Sequence, residues 1–349
     1  MTRRLGTLSL AATLAIAGLG VAATAALAPA ASAQVPPATP PTPGSDLAGL
    51  NTMASAAGID VEPLTPGLVG AGNVTTGSLV QASLPYAQTT ATTGPMTQAV
   101  ASPAYPGATA ADAGSALETF GPFPPQVANA LNDPAVATAD YPAQVTTPSS
   151  SSYSPPGGST TGVGASTAQT ADGIANATSS LNDTAWGTAA APLVEVTSAK
   201  ATSSATVAAG TVQTTAGSVL GGVTIGGLIQ IATVTSSATA SSNASTGAPQ
   251  ATLQIGAVTV EGHKGYIDQS GVHLDGTTVP DPGLALANQA LKQLSAAGVS
   301  VTLLSPTNQS TGAQATANSG AIQVTYSNNY LPNPAGVSPL TSAGLVIDL

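Results

Sequence analysis

The chain has no cysteine among its 349 residues. Disulfides, thiolate metal sites, thiol nucleophiles and lipid-modified cysteines are therefore excluded, even in an oxidising compartment. Positive charge is almost as scarce. Only Arg3, Arg4, Lys200, Lys264 and Lys292 carry it, against fifteen acids, for a formal net charge of −10. Nucleic acid and anionic lipid headgroups need clustered cations, so neither is an expected partner. Aromatics make up 3% of the chain, with one tryptophan, Trp186, and two phenylalanines, Phe120 and Phe123. Without large anchors, a core must come from small side chains on paired strands, held by backbone hydrogen bonds and close sheet packing. Histidine is limited to His263 and His273. The Gly-x-Ser-x-Gly elbow, the Walker loop and Gly-x-Gly-x-x-Gly do not occur.

What is present begins as a leader. Met1-Thr2-Arg3-Arg4 precedes an apolar run from Leu5 to Ala28, and Ala31-Ser32-Ala33 precedes Gln34. A charged start, an apolar middle and a small-x-small site predict a signal peptide over 1–33, cleaved after Ala33. Arg3-Arg4 admits the twin-arginine route, but no fuller motif surrounds the pair, and ordinary secretion is the expected path. Residues 34–48 are proline-rich and read as an extended linker. Residues 49–148 read as a β-rich or irregular region, with strand signals in Leu68–Thr90 and a short helix over Ala110–Thr119. Ser149–Gly164 is rich in Ser, Pro and Gly; it is either a break between domains or a long loop within one sheet. Residues 165–349 read as a β-rich domain. No apolar span or wall-sorting signal marks the C-terminus, so the expectation is a protein released or held loosely at the surface.

The organising stretch is Ser218–Tyr326. Val223-Thr224-Ile225, Ile229-Gln230-Ile231, Leu253-Gln254-Ile255 and Val258-Thr259-Val260 alternate with period two, as strands do. Gly226-Gly227 reads as a bulge or bend within the first run. Lys264-Gly265 reads as a hairpin turn, and Asp268–Gly271 as a four-residue turn. Those turns pair His263 with Tyr266, and Tyr266 with His273. One face then carries Glu261, His263, Tyr266, Asp268, His273 and Asp275; the other carries Val258, Val260, Ile267, Val272 and Leu274. A helix follows over 283–297, with Asp281 as N-cap, Pro282 entering and Gly298 ending it. Leu284, Ala287, Leu291 and Leu294 form its apolar stripe. The fold class expected is mainly β: a curved antiparallel sheet with this one amphipathic helix packed on it.

Reactive chemistry finds little to work with. In the predicted meander the two histidines lie about 9–10 Å apart, too far to share a metal. Glu261/His263 and His273/Asp275 are same-face pairs able to hold a surface ion only weakly. Glu261 and Asp268 fall about 5 Å apart, the separation of a retaining glycosidase. The aromatic-lined cleft such an enzyme needs has few residues to build it. No catalytic, cofactor or metal residues are therefore assigned. Tyr105 and Tyr141, each before a proline, with Tyr86 as an echo after Pro85, read as rings pinning loops onto a sheet rather than as a stacking pair for a ligand.

Gly221-Gly222-Val223 through Ala240, Val258–Gly262 and Ile267–Val272 resemble secreted actinobacterial envelope proteins of the choice-of-anchor type, as does Ala104-Tyr105-Pro106-Gly107. The resemblance covers mainly the C-terminal third and implies an extracellular or cell-envelope setting. It implies no activity. The resulting expectation is a secreted, non-catalytic envelope protein with a structural or adhesive role, partnered by cell-wall polymer or lipid. The alternative is a carrier whose apolar ligand lies between the sheet and Leu284, Leu291 and Leu294.

Overall fold

The computed structural model describes residues 11–16, 50–64, 82–94, 96–105, 136–142, 149–153, 163–188, 191–208, 210–243, 245–275, 282–328 and 343–349. Its first half runs β1 (Ala11–Ile16), β2 (Leu50–Leu64), β3 (Ala82–Thr92), β4 (Met96–Ser102), β5 (Ala137–Tyr141), β6 (Ser149–Tyr153), β7 (Gly164–Ala171), β8 (Ile174–Thr188) and β9 (Ala191–Ala208). Then come β10 (Thr211–Ile225), β11 (Ile229–Ser242), β12 (Gly247–Ile255), β13 (Val258–Val260), β14 (His263–Asp268) and β15 (Gly271–Leu274). Helix α1 (Pro282–Ala296) leads to β16 (Val299–Leu304), β17 (Thr307–Thr311), β18 (Gln314–Asn318), β19 (Ala321–Asn328) and β20 (Ala343–Asp348). The linker 34–48, the expected helix at Ala110–Thr119 and the Asp281 cap lie outside the described residues.

The protein is mainly β, as its alternation predicts, with antiparallel sheets not closed into a barrel and a single helix among the described residues. The described residues form two ten-stranded sheets rather than one. In the first, β5-β4-β3-β2 lie side by side. The far edge of β2 is shared: β20 pairs with its Asp60–Leu64 end and β1 with its Leu50–Ser55 end. β19 and β16 continue beyond β20; β18 and β17 continue beyond β1. β1, which falls inside the segment read as a leader, is thus antiparallel to strands on both sides. The second sheet runs β6-β7-β8-β9-β10-β11, after which β12 and β13 share the edge of β11, and β14 and β15 follow. Ser149 pairs with Ala168 and Tyr153 with Gly164, so β6 and β7 are neighbours in one sheet.

The sheets face each other, and the core between them has two unlike halves. One is alanine: Ala54, Ala56, Ala87, Ala177, Ala201, Ala205, Ala216, Ala238 and Ala240 are among its buried residues. Small side chains let the sheets approach closely enough for hydroxyls to bridge them. Thr89 Oγ1 meets Ser203 Oγ at 2.8 Å, and Ser203 Oγ donates to the Ala54 carbonyl at 2.9 Å. Thr97 Oγ1 donates to the Ala171 carbonyl at 2.9 Å, and Ser242 Oγ to that of Ala313 at 2.6 Å. The other half is aliphatic, with Ile59, Val194, Val196, Leu220, Ile225, Ile229, Ile231, Ile322 and Ile347 buried together.

A transverse fault lies near their boundary, on the aliphatic side along β10, where Leu220 already belongs to the aliphatic cluster. Along β10 the inward positions alternate up to Leu220, then resume at Val223 rather than at residue 222. Gly222 absorbs the slip at φ +62°, where a Cβ would lie 2.6 Å from Thr197 Oγ1. Asp183 of β8 stands at the same level with φ +48°. In β2 the alternation slips at Ala57 and Gly58. A cavity of about 10 Å³, lined by Ala57, Gly58, Ser218, Ser236 and Leu349 among others, sits beside the β2 slip; it has room for about one water.

Several local expectations are corrected. Gly226-Gly227 is the turn between β10 and β11, since Ile225 pairs with Ile229; it is not a bend within one strand. Residues 182–187 (Asn-Asp-Thr-Ala-Trp-Gly) have a turn-like composition, yet they continue β8, and Trp186 pairs with Val194. The β13–β14 turn is Glu261-Gly262, both at positive φ (51° and 80°), rather than Lys264-Gly265. Two successive left-handed residues match the twist of a tight hairpin.

Candidate functional site

The corrected turn redistributes the meander. Val260 now faces His263, so His263 shares the side of Val258, Val260 and Ile267, not that of Tyr266. Glu261 sits in the turn at one end of β14 while Asp268 closes the other, so the expected carboxylate pair is not formed. Tyr266 and His273 are paired as expected, their rings stacked at 5.0 Å. The Asp268–Gly271 turn is also as expected, and Val258, Val260, Ile267, Val272 and Leu274 do line the inner face. The two histidines are again not brought together, nor do three metal-ligating side chains gather anywhere among the described residues.

The meander instead gathers Asp268, Ser270 and His273. One carboxylate oxygen, Asp268 Oδ1, accepts from Ser270 N–H at 2.7 Å, Ser270 Oγ at 2.6 Å and Gly271 N–H at 3.1 Å. His273 Nε2 lies 3.1 Å from that oxygen and 2.9 Å from Ser270 Oγ. The Ser270 hydroxyl bond, then the Ser270 amide, then His273 hold the Asp268 carboxyl down at about 2. A serine, a histidine and an aspartate in contact invite comparison with a nucleophilic triad, but the wiring differs. In a triad the acid holds the imidazole nitrogen away from the serine. Here both partners face the same nitrogen. A carboxylate only accepts, so Nε2 facing it carries hydrogen and cannot take the serine proton. The cluster is a turn lock on an open surface: the His273 and Asp268 side chains are 38% and 46% exposed.

The leucine stripe is spent on the core. α1 spans Pro282–Ala296, one residue earlier at each end than expected, and Gly298 ends it at φ +87°. Ala287 is fully buried, and Leu291 and Leu294 join the aliphatic half of the core. A Cβ on Gly226 would lie 2.5 Å from Leu294 Cδ1. Leu284 is half-buried on the same side. The helix packs on β14 and β15 of the second sheet and on β16 of the first, where the two sheets meet.

Two further constellations were not expected. On the first sheet, Ser83, Asp60, Asp348 and Gln323 stand in one cross-strand row over β3, β2, β20 and β19. Asp60 and Asp348 are buried; Ser83 Oγ donates to Asp60 Oδ1 and Gln323 Nε2 to Asp348 Oδ1, each at 3.0 Å. Beside them Tyr86 and Tyr105 stack at 4.5 Å with planes 10° apart, and Tyr105 exchanges two backbone bonds with Ser83. Burial first, then Tyr105 and Asp60, push the Tyr86 hydroxyl well above the usual tyrosine range. Tyr105 does pin a loop, though its partner is Tyr86 and not Tyr141. The two acids sit in similar triplets, Ile59-Asp60-Val61 and Ile347-Asp348-Leu349, but nothing local in the sequence pairs one with the other.

The outer face of the second sheet is the larger constellation. Thr167, Thr178, Thr202, Gly217, Ser237 and Thr252 lie directly opposite one another across β7 to β12. Two residues along each strand, Gln169, Asn176, Ser204, Thr215, Thr239 and Gln250 form a second row. Thr215 and Thr239 Oγ1 atoms meet at 3.2 Å, and Thr202 Oγ1 donates to the Gly217 carbonyl at 3.2 Å. Neither row holds a charge, an aromatic or a large apolar side chain.

No family model, curated protein or solved structure matches this chain.

Proposed function

We propose that the protein is a secreted, non-catalytic component of the cell envelope with a structural or adhesive role. The observation that carries this reading is the two-sheet slab itself. Strands as long as 15 and 18 residues in β8 and β9 stack through alanines and inter-sheet hydroxyl bonds, and they present ordered polar rows outward. Such a body has little pliancy and a broad face, which suits bearing or adhering more than turnover. The Asp268–Ser270–His273 wiring supports the non-catalytic part, because its imidazole is aimed as a donor. The leader-like start and the choice-of-anchor resemblance support the compartment.

The test is mass spectrometry of the protein recovered from its native cells with whatever remains bound. Co-purified wall polymer is the expected result. A stoichiometric lipid would overturn the reading in favour of an apolar carrier, and would require α1 to lift Leu291 and Leu294 off the core.

A further inference from the structure

We propose that the outer face of the second sheet is a binding surface for an uncharged, periodic polysaccharide, engaged by the two hydroxyl and amide rows on β7–β12. This rests on the envelope reading above and names its partner.

The rows are regular because the register is. Neighbours within a row are about 4.8 Å apart, and the rows are separated by two residues of strand, about 6.8 Å. A lattice of donors and acceptors at fixed spacing is best matched by a partner that also repeats; a globular protein surface does not. Charge narrows the choice further. The chain is strongly acidic overall, yet the rows carry no charge, so they neither attract a polycation nor repel a neutral polymer. The nearest flanking row holds one cation, Lys200, beside Val219 and Thr235. A lipid surface would need apolar wedges, which these rows lack. Threonine is well suited to such a face. Its β-branch holds the hydroxyl in few rotamers on a strand, so little freedom is lost on contact. The Thr215–Thr239 and Thr202–Gly217 bonds fix side chains further before any partner arrives. Each contact is weak, and affinity comes from many made together along one polymer.

The test is retention of the purified full chain on cellulose, on chitin and on neutral wall polysaccharide stripped of lipid and phosphate. Retention on at least one of these is expected, and it should not change between low and high salt, because no charges are matched. Thr202→Lys with Thr239→Lys should weaken retention about tenfold or more, while Thr202→Ser with Thr239→Ser should stay within about twofold. Gln309→Lys, on the exposed β17, should leave retention intact. Should the double lysine variant fail to fold by circular dichroism, Thr178→Arg with Thr252→Arg reads the same face. Absence of retention on all three polymers overturns the proposal. So does retention that folded row variants leave intact, or retention that falls with salt. Recovery from the wall fraction without polysaccharide retention sinks this proposal and spares the envelope reading; recovery from the cytosol sinks the envelope reading itself.

Discussion

At the scale of single residues, the clearest consequences concern two titrating groups. Asp268 keeps its charge because the Ser270 hydroxyl and amide bond one of its oxygens, with His273 adding less. Its folded value lies below the ordinary 3.8, so its contribution to stability is present above that pH and is lost as pH falls towards about 2. The carboxyl resonance of Asp268 should therefore titrate near 2, and Ser270→Ala should move it up further than His273→Ala does. Equal movement would show that the imidazole, not the serine, sets the charge. Tyr86 works in the opposite sense. Its hydroxyl is raised, so its stabilising share is complete below the ordinary value of 10.0 and is lost as pH rises from there through the raised folded value. Ultraviolet titration should find one tyrosine silent until the protein unfolds, and Tyr86→Phe should remove that late component. Of these residues, Tyr266, Asp268 and His273 were legible in the sequence because a turn signature and a register placed them. Ser270 was legible only as part of the turn. The partnership of Asp60 and Asp348 was not legible, because it spans nearly the whole chain and no local pattern joins two such distant strands.

At the scale of elements, the helix and the fault make separable predictions. Leu294→Ala should cost about 2 kcal/mol in denaturant unfolding, since it empties a contact between α1 and the β10–β11 turn. Leu286, 67% exposed, should cost less than about 0.5 kcal/mol when changed to alanine. Gly222→Ala forces a side chain into a left-handed backbone against Thr197 and should cost about 1–3 kcal/mol. A near-neutral result would mean that the fault does not depend on that residue. The helix was legible because its stripe, Pro282 and Gly298 all agree. So were β16, β19 and most of β7 to β12, where Val, Ile and Thr alternate. β2 was not, because Met53–Gly58 is mostly alanine and glycine, which favour no strand. β17, β18 and β20 are only five or six residues long and have few β-branched positions to announce them. The β13–β14 turn was misplaced because Gly262 and Gly265 both fit one, and Gly226-Gly227, correctly located, was misread because paired glycines suit a bend as well as a hairpin turn.

At the scale of the whole molecule, the chain's poverty in large side chains becomes a design. Alanine brings the sheets together until hydroxyls bridge them in one half, and aliphatic residues fill the other in the ordinary way. The polar rows were visible in the sequence only as Ser/Thr-rich alternation; register was needed to line them up. β1 gives the secretion reading a structural consequence. It bridges β2 and β18, so removal of residues 1–33 frees the Leu50–Ser55 edge of β2 and the facing edge of β18. In hydrogen exchange, amides along those edges should be protected in a chain that retains Ala11–Ile16 and markedly faster in one that begins at Gln34.

The most direct measurement is the location and N-terminus of the protein in its native cells, read by fractionation and intact mass. An envelope scaffold should appear in the wall or the medium, beginning at Gln34. A cytosolic chain that still carries Met1 through Ala33 would contradict the account.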